Sequence, residues 1–385
     1  MNALIIIMIL IGFVYAIIIT LFTWGWFKLK TNPIKKTEYS TVVSIIIPVR
    51  NEEKNIINCL NHMALQNYPK ELFEIIVVDD SSTDRTIEYT EIFIQKNDYQ
   101  GITIKILQRP ELLITASYKK QAIAYGISSS SGNLIITTDG DCLPGRNWIS
   151  SIVSMYEINQ PKMIVGPVQI ITDNTLFSRL QALEFQSLIG STAGAIGINK
   201  PIMCNGANLA YSKQAFYDVG GFEGNENYAS GDDLFLLFKI NNYFGNQSVK
   251  FLKNADAIII TKPMKTVNEF LNQRLRWVSK SSGYKNTSII ITALIVYLFN
   301  FVLITGIIAS FFDIRFIYLE ICLFILKVLF DLPLMISITR FGKQQNLMWL
   351  YIPLQFLNIF YTVCIGFAGN FVNTNWKGRK LQTIH

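Results

Sequence analysis

Residues 73–84 read Phe-Glu-Ile-Ile-Val-Val-Asp-Asp-Ser-Ser-Thr-Asp, an apolar run that ends in a cluster of carboxylates and hydroxyls. The run predicts a strand over 73–78, because Ile, Val and Phe are residues that sheets favour. Similar runs lie on either side at 41–47, 102–107 and 134–138, and helical patterns fill the intervals at 52–65, 83–95 and 117–127. This alternation predicts an α/β fold, a mainly parallel sheet with helices on both faces. Ligands bind such sheets beyond the carboxyl ends of the strands.

The composition indicates that part of the chain lies in a membrane. Of the 385 residues, 50% are hydrophobic and only 16% are charged, whereas soluble proteins carry about 25% charged residues. Residues 1–27 contain no charge and end in the aromatic stretch Trp24-Gly-Trp26. This segment has neither the basic start nor the small-residue cleavage site of a signal peptide, so we expect an uncleaved transmembrane anchor.

Three more apolar segments follow near the other end of the chain. The runs at 286–312 and 344–376 carry no charge. Between them, the apolar segment at 316–338 contains three charged residues, namely Glu320, Lys327 and Asp331. Charges at membrane depth usually face other helices or a cavity, and the spacing of Lys327 and Asp331 suits a pair within one helix. This segment is therefore the weakest of the predicted spans.

Basic residues flank the apolar segments and predict their orientation. They are Lys28, Lys30, Lys35 and Lys36 after the first segment, Lys280 and Lys285 before the second, and Arg340 and Lys343 before the last. Cytoplasmic flanks carry such an excess of Lys and Arg, so we expect an integral protein of the cell membrane with its folded domain in the cytoplasm. Four full spans would place the basic tail (Lys377, Arg379 and Lys380) on the other side. Either the tail departs from the rule or 316–338 does not cross fully.

Several classes of protein are excluded by the same composition. The net charge of +7 is accounted for by the membrane flanks, so no nucleic acid is expected as a partner. The five Cys are scattered and only two His are present, which argues against a disulfide framework and a zinc cluster. The predicted domains are a transmembrane anchor (1–27), a cytoplasmic catalytic domain (28–262), an interfacial amphipathic helix (263–285), a transmembrane region of about three segments (286–376) and a basic tail (377–385).

Two acidic motifs follow predicted strands. The first motif begins with Asp79 and Asp80. It is either a turn with a helix cap, or a site that binds the edge of a nucleotide base or the hydroxyls of a ribose. Asp139-Gly140-Asp141 follows the apolar strand at 134–138. Two carboxylates separated by a glycine suit Mg²⁺ or Mn²⁺ bridging a diphosphate, because these cations prefer oxygen ligands. The alternative is a chance pattern.

Two further motifs lie closer to the C-terminus. Gly231-Asp232-Asp233 opens a predicted helix, where carboxylates are favoured by the helix dipole even without a function. An ionised Asp at this place could instead take a proton from an attacking hydroxyl. Gln273-Arg-Leu-Arg-Trp277 lies on an amphipathic pattern just before the second span. It predicts either a simple membrane-surface helix or a site in which Arg276 holds a diphosphate and Trp277 stacks on a sugar.

Taken together and in this order, the motifs resemble those of membrane-bound glycosyltransferase family 2, whose fold is called GT-A. The resemblance runs from Val42 to about Trp277, and its opening strand and loop are Ile45-Ile-Ile-Pro-Val-Arg-Asn-Glu-Glu53. For donor binding, the resemblance implies Pro48, Asn51, Glu52, Asp79, Asp80, Lys119 and Asp139. It implies Asp141 and Asp139 as ligands of Mg²⁺ or Mn²⁺, and Asp233, Gln273, Arg276 and Trp277 as catalytic residues. It also implies Gly206, Asn208 and Asp232 on the acceptor side.

The resemblance implies an inverting, metal-dependent glycosyltransferase with a UDP-sugar donor. The adjacent interfacial helix favours a membrane lipid or a lipid-linked saccharide as acceptor, in cell-envelope glycan or glycolipid synthesis. The alternatives are a processive polysaccharide synthase, a catalytically silent protein that binds sugar nucleotides, and a component of a transporter. Gly231 stands where processive synthases more often have Thr of a Thr-Glu-Asp motif, and Tyr118 replaces a common Gly before Lys119. The first departure favours a single transfer.

Overall fold

The computed structural model describes two compact units. The described residues are 2–31, 33–34, 38–96, 101–109, 117–173, 175–226, 228, 230–280, 283–284, 286–369, 374–376 and 379–381. Among the basic residues named above, Lys35, Lys36, Lys285 and Lys377 lie outside them. The sheet unit comprises Lys30–Ile171, Met203–Lys262 and Asn373–His385, and the helical unit comprises Met1–Leu29, Thr172–Ile202 and Pro263–Val372.

The strands are short, and helices separate many but not all of them in the chain. They are β1 (Val43–Val49), β2 (Phe73–Asp79), β3 (Thr103–Gln108), β4 (Leu134–Thr137), β5 (Leu143–Pro144), β6 (Met163–Val165), β7 (Val168–Ile170), β8 (Leu209–Ser212), β9 (Val249–Phe251), β10 (Ile259–Thr261), β11 (Thr374–Trp376) and β12 (Arg379–Leu381). The helices are α1 (Asn2–Lys28), α2 (Ile56–Ala64), α3 (Thr86–Lys96), α4 (Tyr118–Ser128), α5 (Trp148–Asn159), α6 (Leu176–Gly197), α7 (Lys213–Asp218), α8 (Asp232–Phe244), α9 (Val267–Val278), α10 (Thr287–Ala309), α11 (Arg315–Phe341) and α12 (Tyr351–Ala368).

The main sheet of the sheet unit has seven strands in the order β3-β2-β1-β4-β8-β6-β9. All pairs are parallel except those of β8, which runs antiparallel to β4 and to β6. Helices cover both faces. The four predicted strands and the mainly parallel α/β fold are therefore confirmed. Smaller sheets join β5, β10 and β7 and pair β11 with β12.

The register of the central strands brings their carboxyl ends to one edge. Pro48 lies opposite Val78, and Val49 lies opposite Asp79. Ile45 and Ile46 are fully buried because both faces of β1 are covered. Polar residues that follow β1, β2 and β4 are thus brought to the same side of the sheet, as the sequence predicts.

In the helical unit, the part of the chain that the structure describes contains four helices long and apolar enough to cross a membrane. They are Ala3–Lys28, Thr287–Ala309, Arg315–Phe341 and Gln345–Ala368. Each coincides with a predicted apolar segment. Crossing, orientation and the place of the tail stay predictions, as does the division of the chain into the domains named above.

The charge-free run at 344–376 does not form one helix over its whole length. The helix ends at Ala368, and residues 374–376 form strand β11, which pairs with β12. Gly369 follows the last helical residue, and Asn and Thr are frequent beyond it. These residues favour turns over helix. The absence of charged residues alone therefore predicted too long a span.

The predicted pairing of Lys327 with Asp331 on α11 is confirmed. Lys327 Nζ lies 2.8 Å from Asp331 Oδ2 and donates to Gln355 Oε1 on α12 over 2.7 Å. Tyr15 on α1 donates to Asp331 Oδ1 over 2.7 Å. Two of the three charged residues of this apolar segment, Lys327 and Asp331, therefore connect three helices.

Helix α6 packs against α1 through glycines, although its sequence lies inside the predicted domain 28–262. A Cβ added to Gly194 would lie 2.2 Å from the carbonyl oxygen of Phe22, and one added to Gly197 would lie 2.1 Å from that of Gly25. Small residues permit such close approach of helix backbones in apolar surroundings. The contact fixes α6 to the N-terminal helix.

We expect Gly194→Ala to destabilise the protein by about 1–3 kcal/mol, because the new methyl group overlaps backbone atoms that cannot rotate away. The measurement is the thermal unfolding midpoint of the full chain in detergent. Gly190→Ala on the same helix is the matched control, since its Cβ meets side-chain atoms of Leu334, the nearest at 3.2 Å. Equal midpoints for the two variants would contradict the close backbone contact.

Candidate functional site

A pair of carboxylates follows β4, at the edge of the sheet where the central strands end. The ligand atoms of Asp139, Asp141 and Cys142 all lie within 4.8 Å of one another. Burial raises the pKa of the Cys142 thiol well above its ordinary value, and the Asp141 carboxylate raises it further. Mg²⁺ and Mn²⁺ are hard cations that prefer oxygen ligands to a thiol. The two carboxylates are therefore the groups that fit Mg²⁺ or Mn²⁺.

Lys119 on the first turn of α4 joins this pair to the acidic start of α8. Its Nζ lies 2.7 Å from Asp139 Oδ1 and 3.5 Å from Asp232 Oδ2. Burial alone would lower the pKa of Lys119, but the Asp139 and Asp232 carboxylates outweigh burial and raise it. The side chain therefore stays protonated and holds two like charges at one place.

The acidic start of α8 lies beside the backbone of Gly206. Gly231 precedes the helix with φ 89°, a conformation that glycine adopts without strain. Asp233 Oδ2 accepts from the Gly206 N–H over 3.3 Å. A Cβ at Gly206 would lie 3.1 Å from Asp232 Oδ2. Glycine at this position lets the two aspartates approach the backbone.

Asp79 and Asp80 have different surroundings. Asp79 Oδ1 accepts from the backbone N–H of Ser82 over 3.0 Å, as a turn requires. Asp80 is 2% exposed, and its Oδ1 accepts from Arg109 Nε over 2.7 Å. Asp80 therefore belongs to a buried ion pair. Of the two, Asp79 is the more suitable for a nucleotide contact.

Arg109 is a buried residue near the site that the sequence prediction missed. It immediately follows β3, and its guanidinium lies over the ring of Tyr118 (5.1 Å to the centre) and donates to Gln121 Oε1 over 3.0 Å. A charged residue directly after a predicted strand, at the same sheet edge as the other motifs, was the available signal.

The loops after β1 and β2 are tied together by the residues predicted to bind the donor. Asn51 and Ser81 both have positive φ, 52° and 55°. Asn51 Oδ1 accepts from the Thr83 N–H over 2.8 Å. Glu52 is buried and its N–H donates to Thr86 Oγ1 over 2.7 Å. Pro48, at the end of β1, is half-buried.

Asn208 occupies a buried position under the site. Its Nδ2 donates to the carbonyl oxygens of Pro167 (2.7 Å) and Ala257 (2.9 Å), and its Oδ1 accepts from Trp148 Nε1 over 3.0 Å. With 1% of its surface exposed, the side chain has a structural role here. Its predicted place beside the acceptor stays a prediction without support from this geometry.

Gln273, Arg276 and Trp277 lie on α9 in the helical unit, and their catalytic roles stay predictions. Between them, Arg274 is buried and pairs with Glu184 of α6, with Nη2 and Oε2 2.5 Å apart. Arg274 also donates to Gln273 Oε1 over 2.7 Å and stacks 4.1 Å from the centre of the Trp277 ring. The sequence predicted an amphipathic helix here, and the pairing of Arg274 with Glu184 was missed.

Two family models match the chain. One, described as "Glycosyl transferase family 2", matches residues 44–220, and the other, "Glycosyl transferase family group 2", matches residues 134–368. The second model alone covers more than half of the chain.

Known relatives are glycosyltransferases. Glycosyltransferase AglE of Haloferax volcanii is 32% identical over 236 residues, 61% of this chain and 71% of that protein. A dolichyl N-acetyl-α-D-glucosaminyl phosphate 3-β-D-2,3-diacetamido-2,3-dideoxy-β-D-glucuronosyltransferase of Methanococcus voltae is 24% identical over 67% of this chain and 84% of its own. Poly-β-1,6-N-acetyl-D-glucosamine synthase of Staphylococcus epidermidis is 22% identical over 66% of this chain and 59% of its own.

Among solved structures, the mannosyltransferase PcManGT of Pyrobaculum calidifontis, in complex with GDP-Man and Mn²⁺, has a similar fold. The TM-score is 0.60 at 16% identity, and the match covers 93% of this chain and 98% of that one. The GT-A fold that the sequence predicts is thereby confirmed.

We expect Arg109→Met to destabilise the sheet unit by about 3–5 kcal/mol, because it removes a cation that pairs with the buried Asp80 carboxylate. The measurement is denaturant unfolding followed by Trp fluorescence. The double variant Arg109→Met/Asp80→Asn is the matched control and should recover part of the loss, since it also removes the buried charge with which Arg109 pairs. A double variant that is no more stable than the single one would argue against the ion pair.

Proposed function

Because this chain belongs to glycosyltransferase family 2, we propose that it transfers a sugar, with inversion, from a nucleoside-diphosphate sugar to a lipid or lipid-linked acceptor at the membrane. The observation that carries this proposal is Lys119, whose ammonium links Asp139 after β4 to Asp232 at the start of α8. That link brings a cation-binding carboxylate close to the start of α8, where Asp233, the candidate base, directly follows Asp232, and transfer to a hydroxyl requires such proximity.

Asp139 and Asp141 are the groups proposed to hold the metal. Their oxygens are of the type that Mg²⁺ and Mn²⁺ prefer over the thiol of Cys142. A bound divalent cation would offset the negative charge that grows on the departing diphosphate. Lys119 supplies a further positive charge at the same place.

Asp233 is the proposed general base. The N–H groups of Gly206 (3.3 Å) and Leu234 (2.8 Å) donate to its two oxygens, and the helix N-terminus favours a negative charge there. The acceptor oxygen forms a bond to the anomeric carbon while the bond from that carbon to the diphosphate oxygen breaks. The hydroxyl proton passes to Asp233, and the electron pair of the broken bond leaves with the diphosphate. Attack opposite to the leaving group inverts the anomeric centre.

The donor is proposed to be a UDP-sugar, with Asp79, Asn51 and Lys119 nearest to the nucleotide. This assignment rests on the resemblance of the motifs, and the fold is compatible with other bases, since the similar Pyrobaculum enzyme is in complex with GDP-Man. Arg276 is proposed to hold the departing diphosphate, with Gln273 and Trp277 beside the sugars. The sugar itself is not assigned.

A lipid or lipid-linked acceptor is favoured by four helices able to cross a membrane and by the Methanococcus relative, whose name specifies a dolichyl phosphate-linked acceptor.

The second candidate is a processive polysaccharide synthase, because the Staphylococcus relative carries that name. Product length distinguishes them: one added residue supports single transfer, and a ladder of products supports the synthase. Insertion in the cell membrane with the sheet unit in the cytoplasm is part of the proposal.

We expect UDP to bind the detergent-purified protein in the presence of Mn²⁺ and the affinity to fall at least about tenfold in Asp141→Ala, because the variant lacks a ligand of the bridging cation. Isothermal titration with UDP, with and without Mn²⁺, makes this measurement, and GDP titrated alongside tests the base. UDP binding that ignores both the metal and the substitution would refute the metal assignment.

We expect Asp233→Asn to lower turnover by at least about 100-fold with UDP affinity kept within about twofold, since a general base typically contributes 10²–10⁴ in rate. Release of UDP from UDP-sugars by the wild type and the variant measures the effect. Asp218→Asn, an exposed carboxylate at the end of α7, is the matched control and should keep its activity. An Asp233→Asn variant with wild-type turnover would place the base on another residue.

A further inference from the structure

The first turn of α4 carries a second lysine, Lys120, which the proposed mechanism does not use. Its side chain is 3% exposed, and its Nζ donates to the carbonyl oxygens of Asn225 (2.6 Å) and Tyr228 (2.8 Å). The ammonium also lies 4.9 Å from the centre of the Phe235 ring. A buried cation is tolerated only where its donors and its charge are satisfied. The surroundings of Lys120 are therefore built for an ammonium group.

Both carbonyls belong to the α7–α8 loop, the segment 219–231 between those two helices. This loop leads directly into Asp232 and Asp233, the first residues of α8. Its described residues belong to no strand or helix, so side chains that bond its carbonyls help to fix its position, together with the backbone hydrogen bonds of its turns. Lys239 does the same earlier in the loop, donating to the carbonyl of Glu223 over 2.7 Å.

Lys120 contacts the second half of the loop, at Asn225 and Tyr228. Its neighbour Lys119 bonds Asp139 and Asp232, so one turn of α4 contacts both the carboxylates and the loop. Phe235, on the first turn of α8, lies against the Tyr228 ring with 5.1 Å between centres. Lys120, Tyr228 and Phe235 thus pack the end of the loop against the start of the helix that carries the proposed base.

We propose that Lys120 is a positioning residue for the acidic start of α8, acting through the α7–α8 loop. It holds the loop so that the carboxylate of Asp233 lies where an acceptor hydroxyl gives up its proton. A displacement of about 1 Å in a reacting group can cost up to about 100-fold in rate. The inference rests on the proposed function for its effect on turnover, while its structural part is independent of it.

The test compares Lys120→Met and Lys120→Arg in the full chain in detergent. Met keeps the length and apolar stem but lacks the ammonium, so we expect turnover to fall about tenfold, with Mn²⁺-dependent UDP affinity within about twofold of wild type. Arg restores donors and charge and should recover a large part of the turnover. Turnover is UDP release from UDP-glucose and UDP-N-acetylglucosamine, and affinity is measured by titration with UDP.

Lys213→Met is the matched control, because Lys213 Nζ also donates to a backbone carbonyl, that of Ser130, over 2.6 Å. It should lower the unfolding midpoint without changing turnover per folded molecule. A merely structural role of Lys120 would instead reduce UDP affinity and stability together, or leave turnover unchanged, and either result would overturn the proposal.

Hydrogen–deuterium exchange separates this inference from the proposed function. In Lys120→Met, amides of the α7–α8 loop should exchange at least about tenfold faster, while β1, β2 and β4 keep wild-type protection. If the wild type neither binds UDP nor releases it, the proposed donor is wrong, and the exchange experiment still tests whether Lys120 holds the loop. Unchanged exchange in the loop would overturn the inference whatever the donor.

Discussion

At the edge of the sheet, negatively charged carboxylates lie around one ammonium group, and this arrangement constrains where the elements that carry them can lie. Asp139 and Asp232 come from elements far apart in sequence, and Lys119 lies between them. Without a cation between them, carboxylates gathered at one place repel each other. Helix α4, the end of β4 and the start of α8 must therefore lie where one lysine reaches both. Gly206 and Gly231 allow the backbone to adopt the close approach and the positive φ that this arrangement requires.

Much of the sheet unit was predictable from the sequence, because its physical signal is local. Continuous apolar runs predict buried strands, and the parallel order predicts which ends meet. The position of Asp139 and Asp141 after β4 followed from these two points. The predicted start of α2 at Glu52 was early by four residues: residues 52–55 form a turn in which Glu52 O accepts from the Ile56 N–H before the helix begins.

What the sequence did not predict depends on partners distant in the chain. Arg109 meets Asp80, Arg274 meets Glu184, and neither partner is marked by spacing or periodicity. Buried ion pairs and close glycine contacts form only when two elements pack together, so the sequence of either element alone does not indicate them. The same holds for Asn208, whose surroundings gave it a structural role that its place in a glycine-rich turn did not indicate.

The position of β8 has a consequence for the order of synthesis. This strand pairs with both β4 and β6, so it completes the middle of the sheet. In the chain it comes after α6, which packs with α1 in the other unit. A ribosome therefore releases β1 to β4 with an open edge and makes an entire helix of a different unit before the closing strand appears. Open strand edges in nascent chains are prone to wrong pairing, so chaperone protection during translation matters most for the interval between β4 and β8.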